Sequence, residues 1–364
     1  MTKEQRENKE TFSLSALRGL FRSYGYAEYR VNRFEDYELY ARNRNFLRSD
    51  RILTFTDVDG SLKAMRPDVT LSIVRNYTGI PLWKVSYTEN IYRPDENGFR
   101  QIPQTGLECL GDVDDVMQSE VLMLACRSLA MISDGYLMDL SHLGFVPALA
   151  AEAAKGEQGK LLLEAVRQKN TSLIRSICQE NGAPEKLQQD LLWTAQAYGG
   201  PRPMLERMRQ MVRNREMEEA CADLERIVKG TVCFLPEAAL RIDLSIMDDL
   251  HYYNGLIFRG MIQGLPAPIL YGGRYDNLLT AMGKEGKAIG FAVYLDLLNE
   301  YRREQDKYDA DVLLQYGDGD SPEAVIRAIE ALRGQGFSVR AQKDGEGLRF
   351  RKKVLLGEEV QKDE

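Results

Sequence analysis

Apolar residues recur at helical spacing over residues 13–22, S-L-S-A-L-R-G-L-F-R, where Leu14, Leu17 and Phe21 share one face behind Ser13 as a capping residue. This stretch predicts an amphipathic helix. Arg51–Phe55 and Leu62–Arg66 flank the turn-rich T-D-V-D-G-S and predict a hairpin. Leu82–Val85 and Thr105–Leu110 predict further strands. From Ser119 to about Ser133 the pattern predicts a helix with Ser119 as its cap, Glu120 in the first turn and Gly135 shortly past the end.

The texture changes over about 148–228. Ala, Glu, Lys, Gln, Arg and Leu dominate and strand signals vanish, which predicts a helical insert of several short helices, broken at N-G-A-P from Asn181 and Y-G-G-P-R-P from Tyr198. Strand character returns at T-V-C-F-L from Thr231, A-L-R-I-D-L from Ala239, L-H-Y-Y-N-G-L-I-F-R-G from Leu250 and P-I-L-Y-G-G-R-Y-D from Pro268. A charged linker over 301–309 precedes A-D-V-L-L-Q-Y from Ala310, S-P-E-A-V-I-R-A-I-E-A-L-R-G from Ser321 and F-S-V-R-A from Phe337. These predict a strand–helix–strand unit, with one more strand at K-V-L-L from Lys353. No internal repeat or low-complexity segment interrupts the chain.

The length of 364 residues suggests two or three domains. No apolar run is long enough for a membrane span, and the charged first ten residues lack the apolar core of a signal peptide. The five cysteines are odd in number and none forms a C-x-x-C pair, so neither disulfides nor zinc are indicated, and a cytoplasmic location is expected. With only His142 and His251, histidine-based catalysis is poorly supplied. A net charge of −7 argues against a protein built to grip nucleic acid. The one compact basic stretch, R-A-Q-K from Arg340 and R-F-R-K-K from Arg349, reads as solvated surface.

Four stretches in collinear order change the picture. They are M-R-P-D-V-T from Met65; E-N-I-Y-R-P-D-E-N-G-F-R-Q-I-P-Q-T-G-L-E from Glu89; L-H-Y-Y-N-G-L-I-F from Leu250; and Y-G-G-R-Y-D-N-L-L from Tyr271, followed by A-I-G-F-A-V-Y-L-D-L-L from Ala288. In this order and spacing the chain resembles the histidyl-tRNA synthetase catalytic core over about residues 10–300. The resemblance implies an α/β (α+β) class II aminoacyl-tRNA synthetase-like fold: an antiparallel sheet core with flanking helices over 1–300, the helical insert at about 148–228, and a truncated C-terminal α/β unit over 310–364.

The departures from that family bear on function. Where the family has the arginine of R-G-L-D-Y-Y-N, which promotes amino-acid activation, this chain has Asp248, whose charge would repel a transferring phosphate. Where the family has G-x-E-R, this chain has Tyr294, Leu295, Asp296 and Leu297. A ring at Tyr294 would stand where the family's glycine lets ATP lie against the backbone, and Leu297 cannot pair with the γ-phosphate. The loop of the second motif is shorter. The ATP half of the site is therefore expected to be dismantled.

The amino-acid half is kept. By resemblance, Asp68, Thr70 and Gln104 would meet the ligand's ammonium, Arg93 its carboxylate, and Glu108 an imidazole N–H, helped by the Tyr253 hydroxyl; Tyr275 would close the pocket. A zwitterion with a polar ring needs that set of partners. Each residue also has a plainer reading: Asp68 as a helix cap, Arg93 paired with Glu108 across strands, Tyr275 as core. In an extended strand only one of Tyr252 and Tyr253 can face the pocket; the family pattern selects Tyr253 and leaves Tyr252 to packing, with no role for His251.

R-V-N-R-F-E-D-Y-E-L-Y from Arg30, F-T-D-V-D-G-S-L-K-A-M-R-P-D-V-T-L-S-I from Phe55 and Y-N-G-L-I-F-R-G from Tyr253 are closer to the regulatory subunits of ATP phosphoribosyltransferase, a family of synthetase paralogues. That resemblance implies no catalysis, no cofactor and no metal. It implies a short-form catalytic subunit as partner and histidine as ligand, within a hetero-oligomer with a homodimeric core. The region that builds that dimer in the family is V-N-R-F-E from Val31, with Asn32 at the family's proline. An active synthetase and a ligand-free scaffold are the rival readings.

Overall fold

The computed structural model describes residues 14–47, 49, 51–96, 98–247, 250–298 and 308–357. The chain divides into two units, Met1–Leu297 and Leu298–Glu364.

The first unit is built on a nine-stranded sheet in the order β1-β5-β6-β12-β11-β10-β7-β9-β8. The strands are β1 (Ala27–Glu28), β5 (Leu82–Asp95), β6 (Gly98–Gly111), β7 (Tyr136–His142), β8 (Tyr198–Gly199), β9 (Leu240–Asp243), β10 (Leu256–Ile262), β11 (Leu270–Arg274) and β12 (Lys287–Tyr294). Pairing is antiparallel through the centre and parallel only for β1–β5 and β7–β9. The predicted strands at Leu82–Val85 and Thr105–Leu110 are the outer ends of one long hairpin, paired from Leu82↔Gly111 to Asp95↔Gly98. The helices Leu14–Ser23 and Asp115–Ile132 cover one face, with Phe21 meeting Phe291 edge-on at 5.8 Å between ring centroids. The second helix is capped by Asp114, which accepts from the Met117 N–H at 2.9 Å. The expected cap, Ser119, lies inside the helix and donates to the Asp115 carbonyl. Ser13, the expected cap of the first helix, lies outside the described residues.

The predicted hairpin forms as β3 (Thr54–Thr56) against β4 (Leu62–Met65), extended by β2 (Phe34–Asp36) into a small separate sheet. The predicted helical insert consists of Val146–Ala151, Gly156–Arg167, Thr171–Glu180, Glu185–Gln196, Pro201–Met211 and Arg215–Val232, interrupted by β8 at the predicted break. The expected strand at Thr231 does not form. Met217, Ala220, Leu224, Ile227, Val228 and Thr231 are all buried at helical period, so the helix runs on through the β-branched pair Thr231-Val232. The insert is tied to the sheet by buried charge: Lys169 Nζ lies 3.0 Å from Asp243, and the Tyr198 hydroxyl donates to Asp139 at 3.0 Å.

The second unit is a parallel sheet ordered β14 (Val339–Gln342), β13 (Ala310–Gln315), β15 (Phe350–Leu355), with the helix Pro322–Gly334 capped by Ser321. Asp309, placed in the linker by the sequence, exchanges backbone and side-chain bonds with Arg349. Three side chains of the basic stretch are paired locally, Arg349 with Asp309, Arg351 with Asp311 and Lys343 with Asp318. Residues 301–307 of the linker lie outside the described residues. All five cysteines are free. No helix among the described residues is long and apolar enough to cross a membrane.

Candidate functional site

Side-chain alternation builds the site. Through the pairs Tyr87↔Gly106, Glu108↔Gly290, Gln104↔Tyr294, Tyr271↔Ala292 and Gly273↔Gly290, ten residues share the sheet face opposite the two helices. They are Tyr87 and Arg93 on β5; Gln104, Gly106 and Glu108 on β6; Gly290, Ala292 and Tyr294 on β12; and Tyr271 and Gly273 on β11. Small residues line the middle and larger ones the edges, leaving a cavity of about 210 Å³. The floor tolerates nothing larger: a Cβ on Gly290 would overlap Glu108 Oε2, and one on Gly106 would press on the Tyr87 hydroxyl.

Asp68, Thr70, Arg93, Gln104, Glu108, Tyr253 and Tyr275 all line this one cavity. Glu108 is buried at its centre, its Oε2 accepting from Tyr275 Oη at 2.6 Å and its Oε1 from Thr70 Oγ1 at 2.7 Å. Burial pushes its carboxyl up to about 8, against the pull of those two hydroxyls and with a further push from Asp68. Burial therefore favours the protonated form of Glu108 at neutral pH. Burial, with the neighbouring Glu108, also raises the hydroxyls of Tyr87 and Tyr275 well above the ordinary tyrosine range. Gln104 Oε1 is buried and, among the described residues, has no hydrogen-bond partner to offset its desolvation.

Asp68 serves two ends. Its Oδ1 accepts from the Leu71 N–H at 3.0 Å, capping the helix Thr70–Asn76, while the side chain borders the cavity. Arg93 does not pair with Glu108. Its Nε donates to the Pro67 carbonyl at 3.3 Å, and its guanidinium lies 5.7 Å from the centroid of the Tyr294 ring, with Nη1 3.4 Å from the hydroxyl. Tyr275 is both core and site: it is 2 % exposed and hydrogen-bonded to Glu108.

Tyr275, expected to close the pocket, is the tyrosine whose hydroxyl donates to Glu108. One expectation is corrected. Tyr252 and Tyr253 do not lie in a strand, since β10 begins only at Leu256, and the turn before it lets both rings face the cavity. Tyr252 packs on Tyr253, Tyr275 and Phe46 at centroid distances of 4.7, 5.7 and 6.3 Å. His251 stands exposed on the rim. The sequence reading missed Tyr87, which strict alternation back from Arg93 along β5 places on the same face.

His142 is not part of this cavity. Its Nε2 lies 3.1 Å from Asp223 and its Nδ1 accepts from the Gly144 N–H, joining the end of β7 to the insert. Among the described residues no cluster of His, Cys, Asp and Glu could hold a metal.

β5 and β6 are paired out to Asp95↔Gly98, so only two residues of the sequence connect them. Tyr294 forms the end wall with Tyr271, edge-on at 5.6 Å. Asp248 lies outside the described residues.

The profile of the histidyl-tRNA synthetase family matches residues 2–298. The ATP phosphoribosyltransferase regulatory subunit of Oceanobacillus iheyensis is 27% identical over 329 residues, covering 88% of this chain and 81% of that protein. The one from Caldanaerobacter subterraneus subsp. tengcongensis is 30% identical over 289 residues, covering 77% and 75%. Among solved structures, an ATP phosphoribosyltransferase regulatory subunit/histidyl-tRNA synthetase from Bacillus halodurans superposes with a TM-score of 0.73 at 22% identity, covering 94% of this chain and 92% of that one.

Proposed function

Since this chain belongs to the histidyl-tRNA synthetase family, and within it to the regulatory subunits of ATP phosphoribosyltransferase, we propose that its cavity binds free histidine as a signal and does not activate it. The chain is a regulatory subunit acting in histidine biosynthesis. In this reading its partner is the catalytic subunit, and its own core pairs with a second copy. The small sheet supports that pairing, since Phe34 and Phe55 share one of its faces, exposed and edge-on to each other at 5.5 Å.

The observation that carries the ligand assignment is Glu108, held over Gly290 by Tyr275 and Thr70 next to the unpartnered Gln104 Oε1. In the occupied state Asp68, Thr70 and Gln104 Oε1 receive the ammonium and Arg93 the carboxylate. Glu108 meets the imidazole. A protonated Glu108 donates to the basic ring nitrogen, or yields its proton and accepts from the imidazolium; either pairing suits histidine and neither suits an aliphatic side chain. The short connection between the paired Asp95 and Gly98 and the Tyr294 ring support a reading without ATP activation.

Histidine reaches the partner only if binding favours one of two conformations of this subunit, and the coupling is then reciprocal. Calorimetric titration of histidine into the subunit alone and into its complex tests this reading, together with ATP–pyrophosphate exchange. Histidine binding without exchange is expected. Histidine-dependent exchange, or no histidine binding in either state, overturns it.

A further inference from the structure

Tyr294 is the residue in the cavity whose presence the amino-acid site alone does not explain. It pairs with Gln104 across β12 and β6, so its ring rises from the same face as Glu108. The ring lies under the Arg93 guanidinium at 5.7 Å and stands edge-on to Tyr271 at 5.6 Å. Arg93 is otherwise tethered in the described contacts by one bond, from Nε to the Pro67 carbonyl. An arginine side chain has several rotatable bonds. Fixing its planar fork before a carboxylate arrives removes most of the ordering cost of the bond it makes. Tyr294 supplies that fixation through its ring, with its hydroxyl accepting a long hydrogen bond from Arg93 Nη1 at 3.4 Å.

We propose that Tyr294 is the positioning and specificity residue of this cavity, making it a terminal site for an α-amino acid with a free carboxylate. It holds Arg93 for the carboxylate and, with Tyr271, walls off anything attached to it: an ester, an amide or an acyl phosphate. The inference rests on the histidine-site reading and adds to it the chemical class that the carboxylate end accepts. In the sequence, Tyr294 replaces a family glycine. Here that replacement removes room for a nucleotide and recruits the ring to serve Arg93.

The test is calorimetry with L-histidine, L-histidinol and L-histidine methyl ester on the wild type, Tyr294→Phe, Tyr294→Leu and Tyr294→Ala. Wild type prefers histidine over both analogues by at least about tenfold, the scale of one charge-assisted hydrogen bond. Tyr294→Phe keeps the ring but loses the 3.4 Å hydroxyl contact to Arg93 and retains most of the preference. Tyr294→Leu keeps the bulk without the π face, so histidine binding falls toward that of histidinol while histidinol binding stays unchanged. Tyr294→Ala also opens the wall and binds the methyl ester more tightly than wild type does. Because Tyr294 is partly exposed, Tyr294→Leu serves even if Tyr294→Ala is unstable. Unchanged selectivity in Tyr294→Leu overturns the role of Tyr294 and leaves the histidine site standing. A wild type that binds none of the three probes removes the site itself.

Discussion

Glu108→Gln should stabilise the ligand-free protein at alkaline pH while weakening its hold on histidine. The Glu108 carboxyl stands at about 8 in the native state because burial opposes its ionisation, against 4.5 when solvated. Between those values the native state keeps a proton that the unfolded chain has released, so stability falls as pH rises from 4.5 through 8 and is flat on either side. At about 1.4 kcal/mol per pH unit, that gap amounts to about 5 kcal/mol. Water drawn into the cavity by the ionised carboxylate makes this a ceiling. Glutamine has the same shape and no titration. Both neighbours are hydroxyls, so Thr70 and Tyr275 can turn to accept from its amide. Thermal melts without ligand at pH 5, 7 and 9 should show the variant level with or slightly below wild type at pH 5 and above it at pH 9. Histidine affinity at pH 7 should fall about tenfold or more, since the variant cannot form a charged pair with the ring. A stability difference that does not change between pH 5 and 9 would refute the argument that Glu108 is held protonated by burial.

Three further outcomes follow from the same geometry. Tyr275→Phe deletes a hydrogen bond that favours the ionised carboxylate, so the alkaline loss of stability should move to higher pH; a midpoint that moves down contradicts the assignment of the 2.6 Å contact. Gly290→Ala places a methyl group on Glu108 Oε2 and against the Leu107 carbonyl, and should abolish histidine binding measured by calorimetry while far-ultraviolet circular dichroism stays that of a folded protein; retained affinity would contradict the close approach of Glu108 to the floor. Asp190→Ala strips Arg207 and Arg213 of the buried carboxylate they meet at 2.9 and 2.7 Å and should cost about 2–3 kcal/mol of insert stability, less than for a fully buried pair because both arginines are partly solvated; hydrogen exchange confined to residues 185–232 reads it.

The sequence by itself determined the identity of the polar set. Asp68, Thr70, Arg93, Gln104, Glu108 and Tyr275 sit in motifs whose order specified that they belong together, and alternation on β6 already placed Gln104 and Glu108 on one face. It also located the insert and the strand–helix–strand unit, because periodicity is a local property of the chain. It misjudged Thr231-Val232, where helical burial outweighed β-branched propensity, and Tyr252, where a turn replaced the strand that would have turned one ring away. Only the tertiary structure decided the chemistry of the site. The register of β6 against β12 puts Gly290 under Glu108, and the packing of Thr70 and Tyr275 around it removes water. The same register lifts Tyr294 beneath Arg93. Desolvation and cross-strand pairing depend on residues far apart in the chain, so a carboxyl that keeps its proton and an arginine held by a ring exist only once the sheet has closed.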